Sequence, residues 1–269
     1  MEIRIFDNSL KELSDELDLS QQRSFLYGDA HFTTAKVIDG ETEFIDLHLN
    51  RLRHAHKTLK FNPILWQKLH IIMEQIASSL KMGIVKVHIS RGLATRGYGQ
   101  LARTQPYIFI STTELAPDFS ASIEQPVTLA ILETKLGHQP MLAGIKHCNR
   151  LEQVLIASEL EQKQLEDGLV LDINNNLIET SKANVFWFDG NKWSTPSLAN
   201  SGIAGVMREH IISKVDVEIA NVNIDVLLEN VKAMFICNSL IGIRAVSNLG
   251  DLELDLNSTH HVKKVIFND

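Results

Sequence analysis

The chain has little of what several protein classes require. Only two of its 269 residues are cysteines, Cys148 and Cys237, and neither belongs to a CxxC pair. That excludes a disulfide framework and leaves reduced, packed thiols as the expectation. No apolar run approaches the length of a membrane span. The opening residues, MEIRIFDNSLKELSDELD, lack the basic start and apolar centre of a secretory signal, so a cytoplasmic protein is expected. Positive charge is also short: 26 Lys and Arg against 33 Asp and Glu give a net charge of −7 and argue against a nucleic-acid partner. The 11 histidines invite a metal, yet no HxxxH or Cys/His spacing occurs, and His54 and His56 fall on opposite faces of a predicted helix. No metal is expected. Internal repeats, low-complexity tracts and coiled-coil heptads are missing as well.

What remains is an ordinary globular composition, 44% hydrophobic and 22% charged, long enough for one large domain or two modest ones. Basic residues gather locally in RLRHAHK and at Arg91 and Arg96, which on an acidic chain suggests a small anion. MEIRIF reads as a strand, and the β-branched run from Phe32 to Ile38 ends at Asp39-Gly40, a hairpin signal that predicts a returning strand in ETEFIDL. HLNRLRHAHKTLKF sets Leu49, Leu52, His56 and Leu59 on one helical face, and a second helix is predicted from Pro63 to Met82. IVKVHISRG alternates, with Val85, Val87 and Ile89 on one side and Lys86, His88 and Ser90 on the other, and PYIFISTTEL returns as a strand. These elements predict a smaller α+β domain over residues 1–114. Residues 115–124 lose the pattern and read as a linker, and 125–269 read as a larger domain carrying strands, helices and the residues discussed next.

The stretch that organises the chain is GIKHCNRLEQ. It places Lys146 at the start of a predicted helix on which Leu151, Val154, Leu155, Ser158 and Leu160 recur at three- and four-residue spacing. An amine held at the mouth of a rigid element, in a dry setting, can serve as nucleophile and base toward an aldehyde cofactor. Glu179 ends the strand NLIE, where a carboxylate can keep a pyridine nitrogen protonated. SGIAGVMR precedes a helix, and glycines followed by unpaired N–H groups suit a phosphate. Arg51, after HLN, carries a fork of donors for phosphate oxygens, and Ser239, in the turn after KAMFICN, adds a hydroxyl. Taken singly these are a solvated lysine, an exposed strand end, a helix entry and a surface ion pair.

Taken together and in order, YGDAHFTT, HLNRL, SRGLATRGYG, LAGIKHCNRLEQVLI and ETSKANVFWF followed by TPSLANSGIAGVMR resemble the class IV pyridoxal-phosphate-dependent aminotransferase-like enzymes over nearly the whole chain. Glu179, Asn184, Phe186, Thr195, Gly205 and Arg208 track that family's signature stretch. The wording GIKHCNRLEQ, and FTT at 32–34 where aminotransferases of this fold commonly carry FET, are closest to the lyase members.

The resemblance implies a two-domain α+β fold like that of the D-amino acid aminotransferases, with pyridoxal 5'-phosphate at the domain junction, in a homodimer. It implies that Lys146 is the Schiff-base lysine and that Glu179 faces the ring nitrogen. Phosphate would be held by Arg51, the main-chain amides of Val206 and Met207, and Ser239. Arg91 and Arg96 would lie near the substrate, where their charge suits a dicarboxylate, and Asn149, one helical turn past Lys146, would order the lysine. Ala30 and His31 depart from the family's glycine and small or apolar residue before Phe32, which sets His31 at the substrate pocket; Trp193 replaces an aliphatic residue. The implied activity splits 4-amino-4-deoxychorismate into 4-aminobenzoate and pyruvate on the way to folate. The alternatives are an aminotransferase of branched-chain or D-amino acids and a non-enzymatic ligand-binding protein on the same fold.

Overall fold

The structure is a computed structural model that describes residues 2–13, 18–93, 97–99, 101–116 and 118–267. It divides into two compact units: Met1–Ala116 with Ile145–Asn149, and Pro117–Gly144 with Arg150–Asp269.

In the first unit β1 (Glu2–Phe6) and α1 (Arg23–Tyr27) lead into β2 (Ala30–Ile38), β3 (Glu41–Thr42), α2 (Ile45–Thr58), α3 (Trp66–Ala77), β4 (Met82–Ser90) and β5 (Tyr107–Glu114). The strands form an antiparallel sheet in the order β1-β5-β4-β2-β3. Period-two alternation decides its faces. Val85, Val87, Ile89, Ile108 and Ile110 pack against Leu49 and Leu52 of α2 and Leu69 and Met73 of α3, and all are at most 1% exposed. At ~25 cal/mol per Å² each such side chain contributes roughly 1.5–3 kcal/mol to folding. The strand expected over ETEFIDL shrinks to two residues, because Phe44 takes a left-handed conformation (φ 54°) and turns the chain into α2. The second helix is also shorter than expected, beginning at Trp66, beyond Pro63.

The second unit contains α4 (Phe119–Glu124), β6 (Val127–Ile131), α5 (Leu151–Lys163), β7 (Asp167–Leu171), β8 (Leu177–Thr180), β9 (Asn184–Phe188), β10 (Trp193–Pro196), α6 (Val206–Ile212), β11 (Val217–Ala220), α7 (Ile224–Asn230), β12 (Ala233–Asn238), β13 (Gly242–Leu249), β14 (Leu252–Glu253) and α8 (Asn257–Phe267). Its mixed sheet runs β11-β10-β9-β12-β13-β6-β7-β8, with β14 paired to β13. Parallel pairs join β10 to β11, β13 to β6 and β6 to β7. Val127, Leu129, Leu169, Val185, Met234 and Val246, all fully buried, form its centre. The class is α+β. Among the described residues no helix is long and apolar enough to cross a membrane.

Three sequence expectations change. The stretch read as a linker carries the short helix α4, too brief to show a period. The segment around Lys146 groups with the first unit and not with residues 125–269, because its backbone bonds to β2. And the apolar stripe of α5 faces outward: Leu151, Val154 and Leu155 are 79%, 60% and 60% exposed, while Ile156 and Leu160 supply the buried side.

Candidate active site

Lys146 precedes its helix instead of opening it. The segment 145–149 is extended and adds to the free edge of β2: the Phe32 amide donates to the Lys146 carbonyl at 3.0 Å, and the Cys148 amide donates to the Ala30 carbonyl at 2.9 Å. His31 and His147 are bridge partners between them. Strand-like pairing puts opposed residues on the same face. Lys146 therefore shares a face with Phe32, and its Nζ stands 4.8 Å from the centre of that ring. Lys86 Nζ lies 4.9 Å from the same ring, and the Cys148 Sγ lies 3.8 Å from Nδ1 of His88, the residue paired with Phe32 across β2 and β4. This is the polar side that alternation in IVKVHISRG predicts.

The opposite face of β2 holds Thr33, fully buried, whose hydroxyl accepts from Arg51 Nη2 and lies 2.6 Å from His48 Nδ1. Burial, then the Arg51 charge, pushes the His48 imidazole down to about 3, so it stays neutral at ordinary pH. Arg51 is thus steered by a hydroxyl and a neutral ring and is only partly exposed.

Two of the residues expected at the substrate are committed elsewhere. Arg91 is 4% exposed: its Nε donates to both oxygens of Asp29 (2.9 and 2.7 Å), and Nη1 and Nη2 donate to the carbonyls of Lys60 (2.9 Å) and Leu59 (2.7 Å). Its guanidinium also stacks 4.0 Å from the Phe61 ring centre. All three nitrogens serve the fold. His31, at 0% exposure, points into the core of its unit, with Nε2 3.4 Å from His56 Nδ1 and its ring edge-on to Phe61. Burial, with His56, His88 and Arg91 nearby, pushes it down to about 3. His31 thus faces away from the surface that carries Phe32 and Lys146. Asn149 lies before the helix, exposed; its side-chain amide donates to the Gly28 carbonyl at 3.2 Å and holds the turn before β2 instead of sitting a helical turn above Lys146. Arg96 lies outside the described residues.

In the second unit Glu179 sits on β8, 5% exposed, and its Oε2 accepts the Ile203 amide at 2.9 Å. Asn184 on β9 grips the same loop twice: Nδ2 donates to the Ile203 carbonyl (2.8 Å) and Oδ1 accepts from the Gly205 amide (3.0 Å). A Cβ at Gly205 would stand 2.1 Å from that Oδ1, so only glycine fits. The loop delivers α6, whose first amides, at Val206 and Met207, have no acceptor within the helix. Ser239 lies in a turn closed by Asn238, whose Oδ1 accepts from the Leu240 and Ile241 amides (2.8 and 2.9 Å).

The sequence profile described as amino-transferase class IV matches residues 30–249. The chain belongs to the class IV aminotransferase family. Among its relatives in that family, an aminodeoxychorismate lyase of Vibrio harveyi is 37% identical over 234 residues, 84% of this chain and 85% of the relative. The crystal structure of 4-amino-4-deoxychorismate lyase from Pseudomonas aeruginosa superposes with a TM-score of 0.86 at 28% identity, covering 96% of each chain. The Escherichia coli branched-chain amino acid aminotransferase reaches the same TM-score at 17% identity, over 98% of this chain and 93% of its own, and so shares the fold.

Several class IV signature residues prove to be scaffolding. Arg208, buried, donates to Thr195 Oγ1 (3.2 Å) and the Pro196 carbonyl (2.9 Å), tying α6 to β10, and burial lowers its pKa. Phe186 stacks on Phe235 at 4.7 Å. Three residues that shape the site were absent from the expected set. Thr33 and Asn184 stand in the FTT and signature stretches, which is the signal that could have flagged them. Asp167 carried none: its carboxylate accepts from the Thr180 and Ser181 hydroxyls (3.0 and 2.7 Å) and fixes the chain just after Glu179.

Proposed function

We propose that this class IV protein is a pyridoxal-phosphate-dependent lyase that converts 4-amino-4-deoxychorismate to 4-aminobenzoate and pyruvate. The observation that carries the reading is the pair of reactive groups its backbone fixes: an amine presented on an aromatic sheet face by an extended segment, and a buried carboxylate held by a loop amide. The lyase identity is supported by the Vibrio harveyi relative and by Thr33, a neutral residue bonded to Arg51 where aminotransferases of the fold commonly place a glutamate.

The donor set fits the cofactor. Glu179 is a carboxylate kept out of water, suited to a ring N–H, and Asn184 fixes a side-chain-free Gly205 directly before the first amides of α6. Pyridoxal phosphate supplies, when bound, an aldehyde for an amine and a cationic ring that accepts electrons. Lys146 would hold it covalently, Glu179 would keep its ring nitrogen protonated, and Arg51, Ser239 and the Val206 and Met207 amides would hold its phosphate. Lys146 Nζ would be the base that takes the proton from the substrate carbon bearing the amine, and the natural donor of a proton to the departing enolpyruvyl group. Arg96 remains the candidate for a substrate carboxylate, a part that Arg91 and His31 are not placed to play. The same reading makes the protein a cytoplasmic homodimer, as its composition and family resemblance support.

The purified chain, supplied with pyridoxal phosphate, is expected to show the visible absorbance of a lysine-bound cofactor and to release 4-aminobenzoate and pyruvate with no keto acid added. Lys146→Ala should lose that absorbance and at least about 10³-fold in turnover. Turnover that appears only with 2-oxoglutarate would make the protein an aminotransferase, and lyase activity retained in Lys146→Ala would remove that lysine from the chemistry.

A further inference from the structure

Of the two thiols expected to be packed, only Cys237 is: it is 0% exposed, and burial pushes its pKa up against the pull of Arg208. Cys148 is half-buried and takes no part in the proposed chemistry. Its position follows from the pairing of its segment with β2. Cys148 lies opposite Ala30 and Lys146 opposite Phe32, while His147 between them turns to the other face beside His31. The thiol and the amine are therefore next neighbours on one face, their Cα atoms roughly 7 Å apart. On β4, His88 is paired with Phe32. The small Ala30 obstructs nothing, and Cys148 Sγ reaches past β2 to within 3.8 Å of His88 Nδ1 and 4.0 Å of its Nε2.

Three features of this face favour a reactive thiol. The imidazole is a neutral acceptor for the S–H proton, because burial and then Lys86 push its pKa down to about 4. Phe109 stands edge-on to it with ring centres 5.8 Å apart and fixes its plane. The amines of Lys86 and Lys146, 4.9 and 4.8 Å from the Phe32 ring centre, put basic groups beside the point where a thiolate forms.

We propose that Cys148 is a modification site that exchanges with small disulfides bearing carboxylates, and that the mixed disulfide closes the face on which Lys146 stands. His88 takes the thiol proton as the Cys148 sulfur attacks one sulfur of the reagent. The reagent's S–S bond breaks, a new S–S bond joins Cys148 to one half, and the other half leaves as a thiolate that takes the proton back from His88. Cys148 is oxidised to the disulfide level and the departing half is reduced to a thiol, so added thiol reverses the step. Carboxylates on the reagent are drawn by the two lysines, an attraction that a neutral disulfide lacks. The exchange stands apart from the proposed function; only its consequence for the cofactor, an amine shut off from an aldehyde, rests on that reading.

The test treats the full chain, with and without pyridoxal phosphate, with oxidised glutathione and follows it by intact mass and peptide mapping. One adduct is expected, at Cys148 and not at Cys237, formed at least about 10-fold faster than on an unstructured cysteine peptide and removed by dithiothreitol. Cys148→Ser should take none, and His88→Val, checked as folded by circular dichroism, should react about 10-fold more slowly. At low salt oxidised glutathione should outpace uncharged hydroxyethyl disulfide, and high salt should remove the difference. Acylation of Lys146 by a succinimidyl ester, read from the same map, should be lost in the adduct and retained in treated Cys148→Ser. No adduct at Cys148, exchange at the peptide's rate, or His88→Val reacting as fast as wild type overturns the proposal, and Lys146 acylated equally in the adduct overturns the closing of its face. An untreated chain that acylates at Lys146 yet never gains the absorbance of a lysine-bound cofactor counts against the proposed function instead.

Discussion

In the first unit the ionisable groups withdrawn from water are chiefly bases. His31 and His48 are fully buried, His56 is 6% exposed, and burial is the leading cause that lowers the pKa of each and of His88. In the second unit they are chiefly acids, and each is met by donors: Asp167 by two hydroxyls, Glu179 by the Ile203 amide, Asp172 by His138 at 2.9 Å and the amides of Asn174 and Asn176. Burial opposes the charge on Asp172, yet His138 and the Asn176 and Asn174 donors outweigh it and lower its pKa. The contrast teaches two ways of tolerating buried ionisable groups. The first unit leaves its imidazoles favouring the neutral form, with Thr33 between His48 and Arg51, and the second surrounds its carboxylates with hydroxyl and amide donors.

Acid should separate the two most strongly. His31 and His48 bind a proton near pH 3 when folded and near 6.5 when unfolded, so below 6.5 the unfolded chain holds more protons and the folded unit loses stability as pH falls toward 3. By pH 4.5 the loss is on the order of 2 kcal/mol for each of these histidines. Asp172 and Glu159 work in a lower window, their contribution fading only as pH drops through the carboxylate range. Hydrogen exchange at pH 7 and pH 4.5 is therefore expected to show protection lost first in β2, β4 and α2. Equal loss in both units would erase the contrast.

Removing the clamp in the first unit comes next. Arg91→Ala should cost roughly 2–4 kcal/mol, less than a fully orphaned buried charge because Arg23 still pairs with Asp29 at 2.8 Å. The change should appear in the melting temperature with KM unmoved. A raised KM at unchanged melting would return Arg91 to the substrate.

The matching change in the second unit is Glu179→Gln, which keeps an acceptor for the Ile203 amide and discards the charge. On the proposed function, turnover is expected to fall by about 10²-fold with stability within ~1 kcal/mol, because a ring nitrogen held there would lose its ionic partner while the loop keeps its bond. A stability loss as large as that of Arg91→Ala would make Glu179 scaffolding too. Smallest is Asn184→Ala, which leaves the Gly205 amide and the Ile203 carbonyl without their partner at a cost of about 1–3 kcal/mol. Cofactor titration should show weaker binding, and unchanged affinity would mean that the loop holds itself.

Much of this was legible before any coordinates, for local reasons. Alternation in IVKVHISRG and the spacing of Leu49, Leu52 and His56 report on burial within one element, and most strands and helices lie near where those patterns put them. Where reading failed, the deciding partner was distant in sequence. Arg91 looks like an anion-binding arginine until Asp29 and the carbonyls of Leu59 and Lys60 take its donors. The Leu151, Val154 and Leu155 stripe has the period of a core face, and period alone cannot say which side of a helix meets its own chain.

Residue order by itself determined the class IV membership, the α+β class and the identity of the groups offered for chemistry, because motif wording and short-range periodicity are properties of neighbours along the chain. Tertiary structure alone decided that Lys146 stands on an added edge of β2, that His31 turns inward while Phe32 faces the amine, and that Asn184 forces glycine at 205. Each of those is a contact between segments far apart in number, and hydrogen bonding and close packing select it only once the chain has folded.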